Sequence, residues 1–347
     1  MTTTAASEQA LSSGRPEDRL EPYRGELTGY CYRMLGSAFD ADDAVQETMV
    51  RAWRALEKFD GRSTLRSWLY RIATNVCYDH QAARQRRAMP MDMSPSASPP
   101  VLSSLGTPLE QSAWVEPIPD GRVMPDTSDP AELAVARESV RLAFVAALQH
   151  LPARQRAVLI LREVLRWKAD EVAELLDTTV ASVKSALQRA RATLAASSLE
   201  ASQAPDPMDD EHAALLARYV EAFERYDIES LVALLHEDAT QCMPPFALWL
   251  SGPADIGQWH LGPGHACRGS RLVAVSANGT TGLAQYKPSS TPGRYEPWAI
   301  HLLEMSGGRI TSITNFLGTH LFALFGLPDH LDDGEDVVQP GQDQQLL

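Results

Sequence analysis

The chain has 347 residues, 44% hydrophobic and 22% charged, which is material for two or three domains at about 100–200 residues each. Its formal charge of 31 − 45 = −14 excludes a protein that coats nucleic acid unaided, because phosphate contacts need a cationic surface. Cys31, Cys77, Cys242 and Cys267 give no C-x-x-C spacing. With no apolar leader and no run of about 18 apolar residues, the expected compartment is the cytoplasm, without membrane contact.

Residues 1–19 read as a disordered tail. A helix around Tyr23–Leu35 opens a first block, residues 20–90. Asp40 is the expected cap of a second helix starting near Ala41, with Asp42 and Asp43 favourable in its first turn. Ala44, Val45, Thr48, Met49, Ala52, Trp53 and Leu56 recur at helical spacing and predict one buried face. Beyond Gly61, a third helix buries Leu65, Trp68, Leu69, Ile72, Ala73 and Val76. It runs into Arg84, Arg86 and Arg87, a basic end suited to phosphate or to the helix C-terminus.

Charge is distributed unevenly. Residues 1–90 carry 13 − 12 = +1, residues 91–129 carry 1 − 6 = −5, residues 130–200 carry 10 − 8 = +2, and residues 201–347 carry 7 − 19 = −12. The connector 91–130 is acidic and proline-rich, and such a composition predicts an extended tether.

The second block, residues 131–200, holds an apolar helix through Val140, Phe144 and Leu148, stopped at Leu151-Pro152. A helix through Val158–Val164 follows, then a short helix over Lys168–Leu176, a turn at Asp177-Thr178-Thr179, and a helix from Val180 to Leu194. This is helix-turn-helix spacing, although short helical hairpins also serve as scaffolding. Val183, Leu187, Ala190 and Leu194 are expected inside. Ser182, Lys184, Ser185, Gln188, Arg189 and Arg191 are left as a polar, cationic outer face with base-reading potential.

Residues 209–330 predict a third domain. Helices over Glu211–Tyr226 and Ile228–Leu235 precede strands at Arg271–Ser276, Thr281–Lys287, Trp298–Met305 and Arg309–Leu317, with turns at Asn278-Gly279 and Gly307-Gly308. The expected architecture is an α+β cone on a curved antiparallel sheet, and residues 331–347 read as an acidic tail. Tyr219, Phe223, Met243, Trp249, Tyr286, His301 and Phe316 are candidate pocket residues; for the aromatic set, core is the favoured reading. His301, with Asp227, His236 and Asn315, is the candidate acid–base group. There is no H-E-x-x-H, no G-x-S-x-G and no glycine-rich phosphate loop, so neither catalysis nor a cofactor or metal is expected.

The two helical blocks together resemble bacterial RNA polymerase sigma factors of the extracytoplasmic-function (ECF) group. The stretch Asp40-Ala41-Asp42-Asp43-Ala44-Val45-Gln46-Glu47-Thr48 and the run Phe59-Asp60-Gly61-Arg62-Ser63-Thr64-Leu65 through Asn75 are similar to region 2. Leu151-Pro152-Ala153-Arg154-Gln155 through Gln188-Arg189-Ala190-Arg191 is similar to region 4. The resemblance implies that Asp43, Gln46 and Glu47 meet the β′ clamp of core polymerase, and that the chain's partners also include the polymerase β subunit and promoter DNA. It implies that Arg62, Ser63, Arg71 and Asn75 hold opened −10 DNA, where Trp53 and Trp68 are read as core.

By the same resemblance, Ser182, Lys184, Ser185, Gln188 and Arg189 read the −35 element. Ala186 stands where many ECF factors carry Arg, and Asp177 where Gly is common, a position Asp tolerates in the left-handed region. The connector is implied to enter the polymerase cleft, with Trp114-Val115-Glu116-Pro117-Ile118-Pro119-Asp120 at its centre; the alternative is a plain tether.

Residues 209–330 resemble SnoaL-like, nuclear-transport-factor-2-like domains fused to some ECF factors, through Met243-Pro244-Pro245, Trp249, Gly252 and Phe325-Gly326-Leu327-Pro328. The reading is thus a multidomain protein: two all-α sigma domains and a cone that modulates them in cis. Two other readings stay open, a cyclase- or isomerase-like cone on a DNA-binding module and a polymerase-independent, ligand-sensing regulator. An anti-sigma partner is left undetermined.

Overall fold

The computed structural model describes residues 16–82, 86–125, 127–196 and 210–334. Arg84, residues 1–15 and residues 335–347 lie outside them. Two compact units divide the chain. One takes the chain to Arg87, Val115–Pro117 and Gly121–Glu200; the other takes Ala88–Trp114, Ile118–Asp120 and the chain from Ala201.

In the first unit, α1 (Pro16–Leu20) leads to α2 (Arg24–Leu35), α3 (Ala38–Ala55) and α4 (Leu65–Ala82). Gly36 ends α2 with a left-handed φ of 72° and returns its N–H to the Tyr32 carbonyl, a conformation that glycine adopts at little cost. Ser37 then caps α3 by accepting the Asp40 N–H at 3.3 Å. The helix therefore begins before the expected cap, and Asp40 is a buried residue of its first turn, 2.7 Å from Arg87 Nη2. Arg87 is thus a buried ion-pair partner and not a free phosphate ligand, whereas Arg86 is exposed. Leu27, Val45, Leu69 and Val76 are fully buried between these helices, each stabilising by about 1.5–3 kcal/mol.

Connector residues Val115–Pro117 belong to this unit. The Ser37 hydroxyl donates to the Glu116 carboxylate. The Glu116 N–H donates to the Gly36 carbonyl at 2.9 Å, and its carbonyl accepts the Tyr32 hydroxyl at 2.7 Å. The connector is not the plain extended tether its composition predicts. It carries α5 (Pro90–Met93) and short 3-10 turns, and buries Trp114, Val115, Ile118 and Val123.

The second helical block comprises α6 (Pro130–Val140), α7 (Leu142–Gln149), α8 (Ala153–Leu159), α9 (Ala169–Leu175) and α10 (Val180–Ala196). α8 continues through a wider π turn at Ile160–Val164. Buried Arg156 donates to the carbonyls of Gln149 and Leu151, each at 3.0 Å, and to that of Met34 at the end of α2. Arg33 donates to the Ser139 carbonyl at 3.0 Å and to its hydroxyl at 2.7 Å. Burial pulls both arginines down to about 10, and carbonyl acceptors replace the water each has lost. The two helical blocks are joined by these guanidinium groups.

The second unit opens with α11 (Asp210–Glu224) and α12 (Ile228–Ala233), followed by β1 (Leu235–Cys242), β2 (Trp249–Ser251), α13 (Gly252–Leu261), β3 (Arg271–Ala277), β4 (Thr280–Pro288), β5 (Arg294–Ser306), β6 (Arg309–Leu317), α14 (His320–Leu324) and β7 (Leu331–Asp332). The strand order is β2-β1-β6-β5-β4-β3, with β7 on β5. β1 pairs with β6 in parallel, so the sheet is mixed and not antiparallel throughout. Asn278-Gly279 takes positive φ at both residues, 52° and 74°, as a tight hairpin between β3 and β4 requires.

The connector also completes this unit. The Trp249 indole N–H donates to the Ser94 carbonyl at 3.2 Å, and the Ser98 N–H to the Trp249 carbonyl at 2.8 Å. Ile118 N–H donates to Asn278 Oδ1 at 3.0 Å, and Gly279 N–H to the Asp120 carboxylate at 2.7 Å.

Candidate polymerase and promoter surfaces

On α3 the buried stripe is Ala41, Ala44, Val45, Thr48, Met49 and Ala52. That leaves Asp43 and Gln46 exposed and Glu47 half-exposed. Arg51 lies 2.5 Å from Glu47, and this hydrogen bond holds the Glu47 carboxyl below its ordinary range. Val50 and Trp53 continue the same face, with Trp53 51% exposed. Trp53 is thus an outward residue, against the expectation of core. Periodicity misassigned it because Trp53 sits one position past Ala52, at the border of the apolar stripe.

Trp68 is half-buried and tilted against Phe59, with ring centroids 5.1 Å apart. It is neither core nor free, and the pair offers a partly open aromatic surface. Arg71 and Asn75 are exposed further along α4, and spacings of three and four residues set Trp68, Arg71 and Asn75 on one stripe. In the preceding loop Arg62 is exposed, with Nε 2.5 Å from Asp60, and Ser63 is half-buried. Stacking surface and donors share one face, the combination an unstacked base requires.

That face meets the second block. Arg71 Nη2 donates to the Glu174 carbonyl at 2.8 Å. The Trp167 ring lies 5.0 Å from that of Tyr70, and the Arg66 guanidinium stands 5.1 Å over Trp167.

Ser182, Lys184, Ser185, Gln188 and Arg189 are all exposed on α10, while Val183, Ala186 and Ala190 are buried and Leu187 and Leu194 half-buried. Ala186 therefore packs inward. Thr179 accepts the Ser182 N–H at 3.1 Å at the start of α10, and Asp177 has a φ of 47°, the left-handed turn expected there. Arg189 Nη1 donates to Ser185 Oγ at 2.6 Å.

The candidate pocket residues separate. Tyr219, Phe223 and Met243 lie in the core cluster of the second unit. His301 edges onto Phe223 with centroids 5.5 Å apart. Tyr286 packs on Phe322 of α14. Phe316, opposite Ile300 and next to Asn315, lies on the other sheet face from His301, because neighbouring residues alternate. Trp249 is turned to the connector, its indole N–H on the Ser94 carbonyl.

Among the candidate acid–base groups, Asp227 caps α12 by accepting the Ser230 N–H at 3.1 Å. His236 Nδ1 accepts the Asp238 N–H at 3.2 Å. His301 Nε2 donates to Gln285 Oε1 at 2.9 Å, and His260, which the sequence reading missed, donates to Gln241 Oε1 at 3.2 Å. Nδ1 of both rings and Asn315 Oδ1 are buried without a hydrogen-bond partner. Burial pulls His260 down to about 4 and His301 to about 3. Among the described residues no group of His, Cys, Asp and Glu could hold a metal ion.

Comparison with known proteins agrees with this layout. Residues 20–87 match Sigma-70 region 2, residues 141–194 match Sigma-70 region 4, and residues 216–313 match the SnoaL-like domain. The chain belongs to the ECF RNA polymerase sigma factors. It is 46% identical over 320 residues to the ECF RNA polymerase sigma factor SigG of Mycobacterium tuberculosis, spanning 90% of this chain and 83% of that protein. SigJ of the same organism is 29% identical over 226 residues, 63% of this chain and 62% of SigJ. The crystal structure of SigJ, at 22% identity and a TM-score of 0.58, covers 90% of this chain and 99% of that one, a likeness of fold.

Proposed function

We propose that this sigma factor binds the β′ clamp of core polymerase through Asp43, Gln46 and Glu47, with Val50 and Trp53 as apolar neighbours, and reaches the β subunit elsewhere. Arg62, Ser63, Arg71 and Asn75 hold the opened −10 element beside the Phe59–Trp68 pair. Ser182, Lys184, Ser185, Gln188 and Arg189 read the −35 element. It acts in the cytoplasm; among the described residues no helix is long and apolar enough to cross a membrane.

The SnoaL-like domain modulates this activity in cis. The observation that carries this reading is the connector, whose Ser94, Ser98, Ile118 and Asp120 are hydrogen-bonded to Trp249, Asn278 and Gly279 of the cone. A connector held there is unavailable to the polymerase cleft, so the cone and the cleft compete for one segment. The cone is read as non-enzymatic because His260 and His301 are buried and each is tied to a glutamine oxygen.

The test is transcription in vitro with core polymerase and the full chain carrying Trp249→Ala and Asn278→Ala. More transcript per bound polymerase is expected. Unchanged output, with proteolysis showing the connector released, refutes cis modulation by this route.

A further inference from the structure

The second unit has a concave groove at the edge of its buried core, to which Leu283 belongs and against which Leu216, Val220 and Leu272 pack. It is an open groove of about 580 Å³ between one side of α11 and the inner face of β3 and β4, within the roughly 300–1,000 Å³ typical of small-molecule sites. Leu216 and Val220, a turn apart on α11, form one wall. Leu272 and Leu283 form the other; the pairings Leu272 with Gln285 and Ala274 with Leu283 put their side chains on one sheet face.

Two carboxylates, Glu221 and Glu224, sit on the same helix at this groove, and neither Lys nor Arg lines it. Glu224 is fixed in place, because its Oε1 accepts the Leu272 N–H at 2.8 Å. Glu221 is paired with Arg225 at 3.1 Å, both well exposed. So exposed a pair is weak, and an incoming cation displaces it readily. The net −12 of residues 201–347 (7 − 19) adds a field that attracts cations and repels anions.

We infer that this groove binds an amphiphilic organic cation, its apolar body between Leu216, Val220, Leu272 and Leu283 and its positive charge at Glu221 and Glu224. The inference concerns binding alone and is independent of cis modulation by the cone.

Calorimetric titration of the full chain with tetraphenylphosphonium, and in parallel with its anionic isostere tetraphenylborate, tests it. Saturable one-site binding of the phosphonium is expected, at least about tenfold tighter than the borate; charge accounts for that preference at about 1.4 kcal/mol per tenfold. The double variant Glu221→Gln, Glu224→Gln should weaken it by about tenfold or more. A glutamine at 224 still accepts the Leu272 N–H, so the fold is kept. Ala217→Trp, at an exposed position of the groove, should abolish binding by filling it. Absence of saturable binding, equal binding of the borate, or indifference to both variants overturns the inference. So does a dimer of the chain that the phosphonium fails to dissociate, which would give the groove to a second copy.

Discussion

Arg71, a candidate −10 contact, donates to the backbone carbonyl of Glu174, at the end of the first helix of the helix-turn-helix, at 2.8 Å. One guanidinium thus ties the two helical blocks together, and the −10 contact proposed for it requires that it leave the Glu174 carbonyl. Trp167 over Tyr70 reinforces the closed arrangement.

Trp167→Ala should lower the stability of the helical unit by about 3 kcal/mol, the usual cost of truncating a buried aromatic, since Trp167 is only 6% exposed. Denaturant unfolding of the variant measures the loss. A change below about 0.5 kcal/mol, typical of surface positions, would show that the two blocks do not pack this way.

Arg87 is the only cation that the structure places beside both Asp40, at 2.7 Å, and Glu116, at 3.8 Å, among the described residues. Arg87→Met leaves two buried carboxylates without it and should cost about 3–5 kcal/mol. Pairing it with Asp40→Asn and Glu116→Gln should recover part of that loss. Equilibrium unfolding of the single and triple variants decides; equal losses in both would remove the ion pair from the account.

Trp53→Ala separates docking from folding. At 51% exposure the side chain contributes little to the core, so melting should stay nearly unchanged while co-elution with core polymerase weakens severalfold. Gln46→Ala with Glu47→Ala should weaken it further. A Trp53 variant that binds normally would restrict the clamp surface to the polar residues.

Acid should weaken the cone. His260 and His301 stay neutral in the fold, at about 4 and about 3, whereas in the unfolded chain each takes a proton near its ordinary value of about 6.5. The unfolded state therefore binds more protons between those limits. Stability is complete above about pH 6.5 and falls as pH drops toward 4, by up to about 1.4 kcal/mol per pH unit for each histidine. Thermal unfolding of the full chain at about pH 7 and about pH 5 measures this, and His301→Gln should flatten the dependence. An equal slope in both proteins would rule out His301 as its source.

Lys184→Ala should weaken promoter binding of the holoenzyme across sequences and reduce the salt slope by about one, if Lys184 meets phosphate. A base-specific loss with an unchanged slope would move Lys184 from positioning to readout.

Helix spacing in the sequence was enough to locate the helices that carry both candidate DNA faces, because their buried stripes are long and their apolar residues regular. It failed where a residue's partner is remote. Arg87 looks like a phosphate ligand until Asp40 and Glu116 close on it. β1 was missed because Leu235-His236-Glu237-Asp238 is mostly polar and half exposed, and its parallel pairing with β6 lies some 75 residues away (310 − 235). The core reading of the aromatic set holds for Tyr219, Phe223 and Met243, but aromatic composition does not say which sheet face a residue takes, and one bulge between Gln285 and Tyr286 changes the alternation.

The hydrogen bond between Ser94 and Trp249 joins residues 155 positions apart. At about 5–20 residues per second of synthesis, the connector emerges roughly 8–30 s before the tryptophan that receives it. Region 2 can close once its own helices and Glu116 of the connector are out. The connector, and the buried side chains it brings to the cone, must wait on the ribosome with apolar surface uncovered, which makes this stretch the interval of the nascent chain most in need of a holdase.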